Sequence, residues 1–297
     1  MPDTHLGRQN TGAVWPGGSS KQGPHRVGAF SICPQLEGFG YELNLRPSIE
    51  KEATKIGTLV HVGLAYRYGM QLATAHKPSW LVYPDGRYAI WICGQDRPDL
   101  AQEALRIYDA YCAYWDPIIA SGAAPAFRPL LIEHQFEVGF AMPDGSSEPY
   151  TARIDLLAEV VLPTGRELWL IDHKTGSKLT NHTGTSYRAD RQMLTGLALC
   201  RAHGFNVNRV IINAMSREYP QPRFARFEVP ISHEAYNRLG ADTAYVLQQM
   251  NDVRKRYPDP NNRPRSWDSC LRKYGRCDFW DVCTNGQQEL IQYVKRT

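Results

Sequence analysis

The chain has 297 residues, of which 42% are hydrophobic and 22% charged, and its formal net charge is +4. That length allows one large core or two modest ones. No apolar run is long enough to span a bilayer, residues 1–28 lack the apolar centre of a secretory leader, and the mild basicity permits nucleic-acid binding without requiring it. The expectation is a soluble protein of the cytoplasm, or of a host cell's cytoplasm if phage-encoded, with no membrane partner.

Residues 1–28 are rich in Gly, Pro, Ser, Asn and Gln. They read as a flexible tail before one folded domain, 29–297. Ile49–Met70 has helical spacing, with Ile56, Leu59, Val60, Gly63 and Leu64 on one side. Ser79–Cys93 reads as two short strands about the turn Pro84-Asp85-Gly86. Asp99–Ala120 reads as a second helix, with Asp99 as N-cap. Three strand-like runs follow, Leu130–Phe140, Tyr150–Val161 and Glu167–His173, joined by turns at Pro143-Asp144-Gly145 and Pro163-Thr164-Gly165. Tyr187–His203 reads as a helix, Val207–Ala214 and Arg223–Val229 as strands, and Ser232–Tyr257 as a long amphipathic helix capped by Ser232. This order predicts an α/β fold: a three-stranded meander and a helical crossover, giving a mixed central β-sheet flanked by helices.

The chemistry concentrates on two strands of the meander. One carries Arg153-Ile154-Asp155-Leu156-Leu157, the other Leu168-Trp169-Leu170-Ile171-Asp172-His173-Lys174-Thr175-Gly176. Alternate strand residues share a face, so Asp172 and Lys174 point the same way. Antiparallel pairing about the Pro163 turn brings Asp155 beside Asp172. Two carboxylates on adjacent strands suit a hard divalent ion, Mg²⁺ or Mn²⁺. Such an ion polarises a phosphoryl oxygen and acidifies a bound water, while an ammonium group orients that water and offsets charge in the transition state. Asp-x-Lys alone is more often a surface ion pair. Asp155 at a matching spacing, the apolar run into Asp172 and the Gly176 turn favour a site.

Together these residues resemble the core motifs of RecB/AddB-like nucleases in the PD-(D/E)XK superfamily, with their restriction-endonuclease-like core. Gly57-Thr58-Leu59-Val60-His61 is similar to the Gly-x-x-x-His element on that family's first helix. The resemblance implies that Asp155, Asp172, Lys174 and Gln192 are catalytic. It implies that His61 joins Asp155 and Asp172 as a metal ligand and that the His173 carbonyl adds another. The family often has Tyr four residues after the glutamine. Here Gly196 stands there, with Tyr187 or Arg188 as substitutes. Glu133 occupies a place where some relatives carry an accessory acid, but a solvent-facing strand glutamate is the expectation.

Seven cysteines are an odd number for a disulfide framework. Cys93, Cys112 and Cys200 read as small buried hydrophobes. Cys270, Cys277 and Cys283 fall within 14 residues, a density that points to metal, with Cys33 as the fourth ligand. The pattern resembles iron–sulfur nucleases of the AddB type and of CRISPR adaptation, which implies a [4Fe–4S] cluster joining the two ends of the domain. Thiolates suit Zn²⁺ as well, and spacing does not choose between them.

The function implied is a metal-dependent deoxyribonuclease, an exonuclease on single strands or DNA ends, in recombination, repair or phage DNA metabolism. A catalytically inactive nucleic-acid-binding module of the same fold is the alternative, and a zinc-stabilised interaction protein a third reading. No Gly-rich Lys-Ser/Thr phosphate loop occurs in the sequence, so a helicase or recombination partner would be a separate chain.

Overall fold

A computed structural model describes residues 22–180, 182–272 and 275–295. The first helix, α1 (Pro24–Ile32), begins inside the segment expected to be a flexible tail. Proline at its first position starts it, and Val27 and Phe30 pack against Leu247 and Met250 further along the chain. That tertiary contact orders residues 24–28, while residues 1–21 lie outside the described part. Next come α2 (Pro34–Glu37), a π-helical turn (Gly38–Glu42), β1 (Leu45–Pro47) and α3 (Glu52–Gly69).

The expected hairpin at 79–93 is instead helix α4 (Gly86–Cys93). The Asp85 side chain caps it by accepting the Tyr88 N–H at 2.8 Å, and Ala89 and Ile90 are buried. Helix α5 (Pro98–Ala120) starts one residue earlier than Asp99, with Arg97 as N-cap.

Strands β2 (Arg128–Ala141), β3 (Ser147–Leu162) and β4 (Gly165–Gly176) form the antiparallel meander. Helix α6 (Arg191–Ala202) crosses over to β5 (Val207–Ser216), which runs parallel to β4. Strand β6 (Phe224–Glu228) closes a five-stranded mixed sheet in the order β2-β3-β4-β5-β6. The helix expected at 187–203 is shorter, because a 3₁₀ turn (Thr185–Tyr187) precedes Asp190, whose carboxylate caps α6. On one face, α3 and α5 cover Leu156, Ala158, Ile171 and Ile211. On the other, α6 covers Ile154, Leu157, Leu170 and Ile212. Helix α7 (His233–Arg256) has the expected Ser232 cap, accepting the Ala235 N–H at 3.3 Å.

The C-terminal segment folds back on the N-terminal one. It contains the short pair β7 (Leu271–Arg272) and β8 (Gly275–Arg276), then α8 (Trp280–Asn285) and β9 (Tyr293–Lys295), which pairs antiparallel with β1. Phe39, Phe279 and Val282 make a separate small core there. Beside it, Glu37 is fully buried and accepts hydrogen bonds from Arg26 (2.6 Å), Arg254 (3.2 Å) and Arg263 (2.6 Å). Arg254 and Arg263 therefore turn inward. Among the described residues, no helix is long and apolar enough to cross a membrane.

Candidate active site

The β3–β4 ladder runs from Leu162–Gly165 to Leu156–Ile171 and stops there. Asp155 and Asp172 follow at the fork where the two strands part. In place of a strand partner, the Asp155 carboxylate accepts the backbone N–H of His173 at 2.7 Å. The buried carboxyl is nonetheless held below its ordinary range: burial pushes it up, but His61, His173, Lys174 and that N–H outweigh it.

Helix α3 brings His61 to the same fork. An ideal Cβ on Gly57 would stand 2.7 Å from Thr175 Oγ1, so any side chain here forces α3 or Thr175 to move, and glycine lets the helix pass close to the end of β4. One turn later, His61 Nδ1 lies 3.5 Å from Asp155 Oδ2. Burial holds the His61 pKa below its usual value, and Lys174 adds to this while Asp155 opposes it. A neutral imidazole is the form that ligates metal.

The fork holds a third candidate ligand that the strand pattern misplaced. Glu133 is 8% exposed and not solvent-facing. Its backbone is left-handed (φ 46°), which is costly for a residue with a Cβ. Alternation breaks at this point: Ile132 and Glu133 are both buried, and His134 and Gln135 both exposed. Glu133 is thereby turned to Asp155, its neighbour across β3. One ligand atom from each of His61, Glu133 and Asp155 lies within 4.8 Å of the others. Burial, then the charges of Asp155 and Asp172, push the Glu133 carboxyl well up, against Arg153.

Asp172 sits beside this trio with different company. Its Oδ2 is 2.5 Å from Lys174 Nζ, and its Oδ1 accepts from Gln192 Nε2 at 3.0 Å. Gln192 Oε1 in turn lies 3.3 Å from Lys174 Nζ, so the first turn of α6 braces the pair. Burial raises the Asp172 pKa and Asp155 adds to it, with Lys174 opposing. Lys174 goes up despite its burial, because Asp172 and Asp155 hold it as the ammonium. The His173 ring points to the opposite face of the sheet. The ring stacks on Tyr68 at 5.8 Å and takes the Asn213 amide at 2.9 Å, whereas the His173 backbone, the part expected to ligate, is hydrogen-bonded to the His61 ring at the fork.

Gly196 packs against the sheet, where a Cβ would stand 3.1 Å from Leu170 Cδ2. A side chain there faces the core. Tyr187 lines the cleft and contributes to the field at Lys174. The fork opens into a cleft of about 1150 Å³ whose walls include His61, Glu133, Asp155, Lys174 and Gln192.

The four cysteines of the other expected constellation come from both ends of the domain. Cys33 follows α1, Cys270 and Cys277 flank the β7–β8 pair, and Cys283 is on α8. Burial, then Cys277, Cys33 and Cys270, push the Cys283 thiol up to about 11 against Arg265. The four thiols thus share one electrostatic neighbourhood, and the Ser266 N–H donates to Cys33 Sγ at 3.4 Å.

A protein-family model described as "PD-(D/E)XK nuclease superfamily" matches residues 24–284. Among solved structures, the chain is similar to a candidate exonuclease from Eubacterium rectale (TM-score 0.53, 10% identity, covering 90% of this chain and 88% of that one). At that identity the likeness shows the fold alone. A weaker likeness, to the protein SSO0001, has a TM-score of 0.29 at 15% identity and covers 73% of this chain and 85% of that one. The sequence matches no curated protein.

Proposed function

Because the chain belongs to the PD-(D/E)XK nuclease superfamily, we propose that it is a divalent-metal-dependent deoxyribonuclease acting on single strands or DNA ends. The observation that carries this reading is the junction of the His61–Glu133–Asp155 trio with the Asp172–Lys174–Gln192 triad at one strand fork. Two carboxylates and a neutral imidazole fit Mn²⁺ or Mg²⁺, with imidazole favouring Mn²⁺. Asp172 Oδ2, buried with no hydrogen-bond partner beyond its ion pair to Lys174, is a further donor toward the ion. A bound ion would polarise the phosphoryl oxygen and acidify the attacking water.

The chain's own residues supply the rest. Lys174, held as the ammonium, is an electrostatic stabiliser of the phosphorane and a hydrogen-bond donor to the attacking water. Gln192 keeps Asp172 and Lys174 in register. Tyr187 offers an aromatic wall on which a base can stack.

The test is incubation of end-labelled linear DNA and covalently closed circular DNA with Mn²⁺. Loss of label from linear DNA alone supports the exonuclease reading, and nicking of circles an endonuclease. Asp172→Asn and Lys174→Met abolish cleavage in this account. Cleavage by both variants at the wild-type rate refutes it, while binding of DNA by the wild type without any cleavage favours the inactive binding module. A helicase or recombination partner that supplies opened strands belongs to the same proposal and is tested by co-purification from the native source.

We further propose that Cys33, Cys270, Cys277 and Cys283 hold a [4Fe–4S] cluster with a structural role. What supports this is that Cys33, Cys270 and Cys277 all act on the Cys283 thiol, beside the small core of Phe39, Phe279 and Val282. Anaerobic purification with iron, sulfide and zinc analysis separates the cluster from zinc.

A further inference from the structure

Strands β4 and β5 run parallel and end together, Gly176 beside Ser216. Crevices outside the carboxyl ends of parallel strands are where α/β sheets take ligands. Just past these ends, the chain places Arg217 and Lys178 on the wall of the cleft. The Arg217 N–H donates to the Gly176 carbonyl at 2.8 Å, which pins its backbone two residues beyond Lys174 along β4. At a rise of roughly 3.3 Å per residue, this is roughly 7 Å from the lysine, a step on the scale of one nucleotide.

No carboxylate is committed to these cations. Glu218 feels the charge of Lys178, but its carboxylate is hydrogen-bonded to Arg223 at 2.7 and 3.0 Å. Among the described residues, no carboxylate lies within ion-pair distance of Arg217 or Lys178. The whole cleft has the same bias. Its walls carry Lys51 and Lys174, which pair with Asp278 and Asp172, and the further cations Arg153, Lys178 and Arg217, against the acids Glu133 and Asp155. A divalent ion would remove what negative charge those acids supply. A wall with this excess suits a ligand with more than one anionic group, and a guanidinium fork matches a phosphodiester.

We propose that Arg217 and Lys178 form a second phosphate subsite, which grips the backbone phosphate adjacent to the scissile one. The inference rests on the nuclease reading and deepens it: the preferred substrate is a strand with at least two consecutive phosphates, and Arg217 measures that length. Lys174 and the metal ligands act on the reacting phosphate. Arg217 and Lys178 bind its neighbour and hold the strand in register.

Two measurements test this on the full-length protein. The first is binding of a fluorescein-labelled single-stranded oligonucleotide by anisotropy in Ca²⁺, across a KCl series. For single strands, each phosphate contact contributes about 0.7 to the slope of log K against log salt. Arg217→Ala and Lys178→Ala are each expected to flatten the slope by about that amount, and Arg217→Lys to recover part of it. The second is kcat/KM in Mn²⁺ for the trinucleotide TpTpT relative to the dinucleotide TpT. The wild type is expected to prefer the trinucleotide, and Arg217→Ala to lose about tenfold of that preference, the size of one charge-assisted hydrogen bond. An unchanged salt slope, or equal losses on both substrates as a merely structural role would give, overturns the subsite while leaving the nuclease reading intact. A folded wild-type protein that neither binds nor cuts DNA overturns both.

Discussion

Replacing Gly57 by alanine probes how the site is assembled rather than its chemistry. The added Cβ would stand 2.7 Å from Thr175 Oγ1, whereas ordinary contact begins at 3.4 Å. About 0.7 Å must therefore be found by moving α3 or Thr175. For stability the terms nearly cancel. Alanine gains about 1 kcal/mol of helix propensity, and overpacking costs about 1–3 kcal/mol. The net loss is about 0–2 kcal/mol, and the variant folds. Function is more exposed, because His61 rides on the same helix one turn away and its Nδ1 lies 3.5 Å from Asp155. A displacement of about 1 Å at a catalytic group costs on the order of a hundredfold. A shift of this size predicts a kcat/KM lower by roughly tenfold to a hundredfold, with weaker Mn²⁺ binding. The assay is oligonucleotide cleavage alongside Mn²⁺ calorimetry on Gly57→Ala, Thr175→Ala and the double variant. The double variant, which removes the clashing oxygen, should be more active than Gly57→Ala alone. Wild-type cleavage and wild-type Mn²⁺ affinity in Gly57→Ala would refute the reasoning.

Further outcomes follow from other parts of the molecule. Glu133 and Asp172 are both held above the ordinary carboxylate range. Stability that depends on their neutral forms is present at acid pH and is lost as pH rises through the raised values. Metal binding needs the charged forms, so it should release protons near neutrality and tighten with rising pH, by about tenfold per unit for each proton released. Mn²⁺ calorimetry in two buffers of different ionisation heat checks this, and a buffer-independent enthalpy would contradict it. Glu37→Gln removes one of the two carboxylates paired with Arg263, whose side chain is 1% exposed, and leaves Glu42 as the other. It should lower the unfolding free energy by about 1–3 kcal/mol, read from a urea titration. Under the proposed [4Fe–4S] ligation, Cys33→Ser should lower the iron content and visible absorption of the anaerobically purified protein. The β1–β9 pairing, which rests on its own backbone bonds, should persist by hydrogen exchange.

The meander, the crossover and the long C-terminal helix are legible in the sequence because their signals are local. Alternation and Pro-Asp-Gly or Pro-Thr-Gly turns delimit β2 to β4, and Ser232 announces α7. Asp155, Asp172 and Lys174 are legible for the same reason, since period-two alternation and a short turn suffice to put them together. Glu133 is not legible, because its left-handed backbone breaks the alternation that assigns it to solvent. Two signals mark it: an acid directly after the apolar run Leu130-Leu131-Ile132, and the family resemblance that puts an accessory acid at this place. Helix α4 is hidden by β-forming residues such as Val82, Tyr83, Ile90 and Ile92. The Asp85 cap and burial between α3 and α5 override their preference. The early start of α1 depends on α7, more than two hundred residues away in the chain.

The central claim is that His61, Glu133 and Asp155 converge on one divalent cation beside Lys174. Mn²⁺ soaked into crystals of the protein locates that cation by its anomalous scattering. The account predicts one strong peak bonded to the imidazole and both carboxylates, with Asp172 within reach. A peak elsewhere, or none at saturating Mn²⁺, would contradict it.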